Sequence, residues 1–153
     1  MGFKGSLIMI PKFLDNSLGF NVDRVAIIMR RELIHVLKEF DLSPEQWQVM
    51  VTLWYSDNPL TQSEIAKMTL KDKPSVSRMI LKLEAKGWIK KQQGEKDARH
   101  TFITLTKKGE EYKSIVTEKV KISMAERYEV LSDQECNKLY NIMRKLRRSL
   151  DDL

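Results

Sequence analysis

The stretch that most restricts the fold runs from Thr61 to Leu105, where helix starts, helix stops and two strands follow one another in a fixed order. "TQSE" at 61–64 is a capping box, in which Thr61 and Glu64 satisfy each other's backbone N–H. The helix it opens is short and carries Ile65, Ala66 and Met68. Asp72 then caps a second helix, where Pro74 is tolerated because its missing N–H falls in the first turn. Val76, Met79, Ile80 and Leu83 recur with helical spacing as an apolar stripe, and Gly87 occupies the position of a left-handed C-cap. A short helix, a few linking residues and an amphipathic helix have helix-turn-helix spacing. Trp88 and Ile89 begin a strand, Gly94 lies in a polar loop, and Thr101 to Leu105 alternate as a second strand. Two strands around a basic loop, directly after a helix-turn-helix, make a winged helix. The predicted class is mainly α with a small β wing.

The flanks of this unit are helical. Residues 1–20 mix Gly2, Gly5, Pro11 and Gly19 with apolar side chains and read as an arm with one short helix. From Val22 a pattern of Val25, Ile28, Met29, Val36, Leu37 and Phe40 is apolar over an unusually wide arc, so more than one face is buried. "DLSPEQW" stops and restarts the chain: Ser43, Pro44 and Gln46 form a second capping box ahead of Trp47, Met50, Val51 and Trp54. Thr106 caps a long helix bearing Tyr112, Ile115, Val116, Val120 and Ile122. Ser132 and Glu135 cap a last one, striped by Leu139, Ile142, Met143, Leu146 and Leu150. Together the first helix and the last two hold more apolar face than a small wing domain covers. Either one larger helical core or an interface with a second copy accounts for it.

Charge separates the middle of the chain from its ends. Thr61 to Gly109 hold 12 Lys or Arg and 5 Asp or Glu, a balance of +7, whereas the rest of the chain balances at −1. A basic segment between near-neutral flanks is the electrostatic footprint for a polyanion. With one cysteine, Cys136, no intrachain disulfide or thiolate metal cluster forms, and two histidines, His35 and His100, offer little to a metal. There is no Gly-rich phosphate loop and no G-x-S-x-G, so no enzyme machinery and no cofactor is expected. No apolar run reaches the length of a membrane span, and a cytoplasmic protein is expected.

"LTQSEIAKM", "SVSRMILKLEAKGWIKK" and "DARHTFITLTKKG", in that order and spacing, resemble the multiple antibiotic resistance regulator (MarR) family of bacterial repressors. The likeness is close from Leu42 to Gly109 and extends to the flanking helices by layout. It implies a winged helix-turn-helix domain flanked by N- and C-terminal dimerisation helices. The implied division is a 1–20 arm, a 21–41 dimerisation helix, a 42–109 DNA-binding domain and 110–153 C-terminal dimerisation helices. It also implies a homodimer on a pseudo-palindromic duplex operator, regulated by a small aromatic or phenolic effector or by thiol oxidation. Cys136 lies in the last helix, away from the N-terminal helix where thiol-sensing members hold their cysteine, so it reads as a small hydrophobe.

Within this frame the outward residues of the second helix acquire a purpose, because a helix entering the major groove reads bases with its N-terminal turns. Lys73, Ser75, Ser77 and Arg78 stand there, Arg78 as a bidentate partner for a guanine edge and the serines as donors to base or phosphate. Gln62 and Ser63 open the preceding helix, whose N–H groups suit a phosphate. By resemblance to the family's D-x-R wing, Arg99 enters the minor groove, and Asp97 pairs with a basic neighbour to fix the wing. Lys82, Lys86, Lys90, Lys91, Lys96 and His100 are candidates for the phosphate backbone. An effector site, by resemblance, lies where the dimer helices meet the winged domain, and Met29, His35, Trp47 and Met50 have the character for it; plain core is the competing reading of the Trp and Met side chains. A winged helix that binds protein or RNA is the alternative, distinguished by its indifference to duplex sequence.

Overall fold

Side-chain caps set most of the helix boundaries in the computed structural model, which describes residues 9–94 and 100–150. A one-turn helix α1 (Lys12–Asp15) precedes α2 (Leu18–Leu37), and a 3-10 turn (Lys38–Phe40) leads to α3 (Pro44–Trp54). Strand β1 (Leu60–Thr61), α4 (Gln62–Thr69), α5 (Lys73–Ala85), β2 (Ile89–Gln93) and β3 (Thr101–Leu105) form the winged unit. Helices α6 (Lys107–Tyr128) and α7 (Asp133–Ser149) follow. The capping boxes of Ser43 with Gln46, Thr61 with Glu64 and Ser132 with Glu135 all form, and Asp72 and Thr106 cap α5 and α6. Gly87 adopts φ +73°, the left-handed conformation its position requires.

Two local features differ from the sequence expectation. Helix α2 begins at Leu18 rather than Val22, because Ser17 caps it and accepts from the Phe20 N–H at 3.4 Å. Gly19 therefore sits in a first turn, where it breaks nothing. The Asn21 amide donates to the carbonyls of Asp15 and Ser17 and ties α1 to α2. The sheet also has three strands, in the order β1-β3-β2, all antiparallel. β1 escapes a period-2 reading because it is two residues long; Leu60 pairs with Ile103 and Thr61 with Phe102.

The core lies within the winged unit and its contacts with α3 and α6. Leu37, Val49, Met50, Ile65, Val76, Ile80, Leu83, Trp88, Ile89, Ile103 and Val116 are essentially inaccessible. Each buried side chain of this size contributes roughly 1.5–3 kcal/mol relative to exposure. An aromatic chain joins the unit to α6: Trp47 packs edge-on against Trp54, Trp54 against Trp88, and Trp88 against Tyr112, with centroids 5.6, 6.5 and 5.4 Å apart. The Trp54 indole N–H donates to the Gly109 carbonyl at 2.7 Å in this buried joint. In β2 only Ile89 is buried, so the hairpin leaves the core after one residue and projects as a wing.

Outside this core the helices are sparsely covered. Helix α2 buries only Val36 and Leu37, α6 only Gly109 and Val116, and α7 nothing. Met68 of α4, placed among its apolar residues from sequence, is also exposed.

Candidate nucleic-acid interface

Helix α5 is held by one face and displays the other. Val76, Met79, Ile80 and Leu83 are buried, while Lys73, Arg78 and Lys82 are exposed and Ser75 and Ser77 half-buried. The stripe separates the two sets in the way the sequence implies. At the helix start the Asp72 carboxylate accepts from the Ser75 N–H at 2.7 Å and from the Ser75 hydroxyl at 3.0 Å. The Arg78 guanidinium donates to that hydroxyl oxygen at 3.1 Å. The Ser75 N–H bond first, then the hydroxyl bond and the nearby Arg78 charge, hold the Asp72 carboxyl below its ordinary pKa.

The start of α4 is partly spoken for. Glu64 accepts from the Thr61 N–H at 2.7 Å, and its amide donates to the Thr61 hydroxyl at 3.3 Å, so a carboxylate already occupies this helix end. The Gln62 side-chain amide donates to the Lys73 carbonyl at 3.1 Å and fastens the two helices of the motif together. Gln62 and Ser63 are both half-buried.

In the wing, Lys90 is exposed, and Lys91 forms an ion pair with Glu84 of α5 at 3.1 Å. The His100 ring stacks on Phe102, and the hairpin closes through a Gly94 N–H to His100 carbonyl bond of 2.9 Å. Lys96, Asp97 and Arg99 lie outside the described residues. Lys86 turns inward to its own domain, bonding the Asp41 carbonyl and carboxylate and the Gln46 side chain, which is itself buried. It braces α5 against the turn before α3.

A cleft of about 950 Å³ opens between α2, the start of α3 and the exposed face of α5. Arg30, Lys38, Lys71, Arg78, Lys82 and Lys86 supply cations to it, against Asp41, Glu45 and Asp72. Ile34, Leu42, Pro44, Leu70 and Met79 give it an apolar part. None of the four effector candidates lines this cleft. Met50 is fully buried in the core, Trp47 packs on Trp54, Met29 accepts from the Tyr128 hydroxyl at 3.9 Å, and His35 is exposed. Sequence reasoning misses Arg30 and Lys38 as cleft residues because they belong to the near-neutral N-terminal part of the chain, and only the tertiary fold brings them beside α5.

Residues 42–101 match the sequence model of the MarR family. The chain is 32% identical over 98 residues to the HTH-type transcriptional regulator YwoH of Bacillus subtilis (strain 168), an alignment spanning 64% of this chain and 70% of YwoH. Its fold is similar to that of CouR from Rhodococcus jostii RHA1, solved with p-coumaroyl-CoA: TM-score 0.81, 18% identity, covering 89% of this chain and 95% of CouR. It is also similar to overoxidized AbfR bound to DNA, with TM-score 0.69 and 25% identity over 91% of this chain and 96% of AbfR. With a helix-turn-helix, a wing and flanking helices in the same order, the chain belongs to the MarR family of winged-helix transcriptional regulators.

Proposed function

We propose that this regulator binds a pseudo-palindromic duplex operator as a homodimer, represses from it, and releases it when an anionic aromatic effector enters the cleft beside α5. The observation that carries the reading is the division of α5: a buried apolar stripe on one side, and Lys73, Arg78 and Lys82 exposed on the other. Such a helix is anchored by its own domain while its first turns remain available to base edges. Lys90 is an exposed cation for the phosphate backbone, and the likeness to the family's D-x-R wing assigns Arg99, outside the described residues, to the minor groove.

The uncovered apolar faces support the dimer. Val25, Ile28, Ile115, Ile122, Leu139 and Ile142 are each exposed by 41–56% in the single chain, and α7 buries no residue. A second copy would bury them, which makes residues 21–41 and 110–153 the dimerisation elements and 42–109 the DNA-binding unit. The cleft supports the effector. It pairs cations with apolar walls, which suits an aromatic acid, and Arg78 and Lys82 lie on it. An occupant would thus compete for side chains that DNA also needs, and by touching α2 would bias the spacing of the two recognition helices. The similar CouR, solved with an aromatic acyl thioester, illustrates that the fold accommodates such a ligand.

The test is selection of genome fragments by the purified protein, followed by titration against random duplex at two salt concentrations. An inverted repeat bound tightly, with affinity falling steeply as salt rises, is the expected result. Arg99→Ala weakens that binding severely and leaves the protein folded. Equal binding to random DNA would instead favour a winged helix that engages protein or RNA.

A further inference from the structure

The start of α5 carries a chain of three side chains whose direction is fixed by chemistry. A carboxylate only accepts and a guanidinium only donates. The Ser75 hydroxyl between them has one proton, and it goes to Asp72 at 3.0 Å. Its oxygen is left to accept from Arg78 at 3.1 Å. While this chain holds, Ser75 has no proton for a DNA phosphate or base. Its part is to hold Arg78, which reaches back over the preceding turn as helical side chains do. The Gln62 bond to the Lys73 carbonyl fixes the same first turn from the side of α4.

The cap by itself does not call for a charge. Asparagine caps helices as well as aspartate does. A carboxylate at this end adds something an amide would not: a negative charge where the exposed N–H groups would otherwise attract a phosphate. Arg78, six residues after Asp72, is left beside the exposed Lys73 as the forked donor that the helix start offers to a base edge.

We propose that Asp72 is a specificity-determining residue, which aims Arg78 through Ser75 and repels the phosphate backbone from the recognition-helix start. Binding there then depends on finding the right base edge. The proposal rests on the reading of α5 as the helix that enters the major groove.

Its test uses Asp72→Asn, Ser75→Ala and Arg78→Ala in the full chain, against the selected operator, single-base-pair variants of it and random duplex. Arg78→Ala should erase the preference at one base pair in each half-site. Ser75→Ala should reduce that same preference roughly tenfold. It keeps the Ser75 N–H to Asp72 bond, so the helix stays capped. Asp72→Asn should reduce the preference similarly and strengthen random binding several-fold, lowering the ratio of specific to non-specific affinity. If Asp72→Asn and Ser75→Ala change operator and random affinities in equal proportion, with every base preference intact, Asp72 is only a cap and the proposal fails. A selective wild type whose Arg78→Ala variant keeps all its base preferences would overturn this proposal alone. A wild type without any sequence preference would overturn the reading beneath it.

Discussion

A Cβ built on Gly109 would lie 2.2 Å from the Trp88 carbonyl oxygen, a distance no methyl group tolerates. That carbonyl is held in place by the Thr106 N–H and hydroxyl, each at 3.1 Å, so it cannot retreat without loosening the α6 cap. Gly109→Ala should therefore cost about 3 kcal/mol, the scale of overpacking a close-packed joint, read as a lowered urea midpoint with unchanged slope. Gly87 offers a contrast. Nothing stands within 4 Å of its added Cβ, and the penalty there comes from φ +73° alone. Gly87→Ala should cost about 1 kcal/mol, and a larger loss at Gly87 than at Gly109 would contradict both accounts. Trp54→Phe tests the same joint, since it removes the buried indole N–H bond to the Gly109 carbonyl; about 1 kcal/mol should be lost in the same unfolding assay. The sequence makes Gly87 legible because a C-cap glycine is a local requirement. It leaves Gly109 opaque, because the group that would clash with it, the Trp88 carbonyl just before β2, is remote in sequence and arrives only through folding.

Capping is where sequence and structure agree most closely at the scale of elements, since each cap is a bond between residues three apart. Ser43, Thr61, Asp72, Thr106 and Ser132 could all be placed without knowing the fold. The strand β1 could not, because two residues have no period and owe their pairing entirely to β3. The same caps make a pH prediction. Glu64 accepts the Thr61 N–H, then its hydroxyl, and these bonds hold its carboxyl below the ordinary value. Asp72 and Glu135 are lowered by equivalent bonds from Ser75 and Ser132. A lowered folded-state pKa means that the unfolded chain takes up the proton first on acidification. The stabilisation is thus complete above about pH 4.5 and is lost as the pH falls through the lowered values. Urea midpoints measured from pH 6 to pH 3 should fall, and Glu64→Gln should make the fall shallower, because the amide still accepts the bond without titrating. An equally steep fall in Glu64→Gln would remove Glu64 from the account.

For the whole molecule, the cleft and the uncovered helices carry the information that a linear reading lacks. The basic excess of residues 61–109 pointed to the winged unit, yet Arg30 and Lys38 of the neutral N-terminal part reach the same cleft through folding. The apolar stripe of α7 is legible, and the single chain leaves it uncovered: Leu139 and Ile142 remain 41% and 45% exposed. An isoleucine left half-wet forgoes roughly a kcal/mol or more of burial, and the same holds for Ile28 and Ile122 at 52% and 56%. A second copy that covers these faces recovers that free energy across several residues at once. Ile28→Glu combined with Ile142→Glu should then convert the protein from a particle of twice the chain mass to one of single mass in sedimentation. The winged core, anchored by Trp54, Trp88 and Met50, should keep its fold and its near-ultraviolet signature. Operator affinity should drop by roughly a hundredfold or more, since one half-site is engaged without the other, while binding to a single half-site changes little. A variant that stays at double mass would place the interface on other faces. A single-mass variant that holds the full operator as tightly as the parent would show that reading the inverted repeat needs no partner.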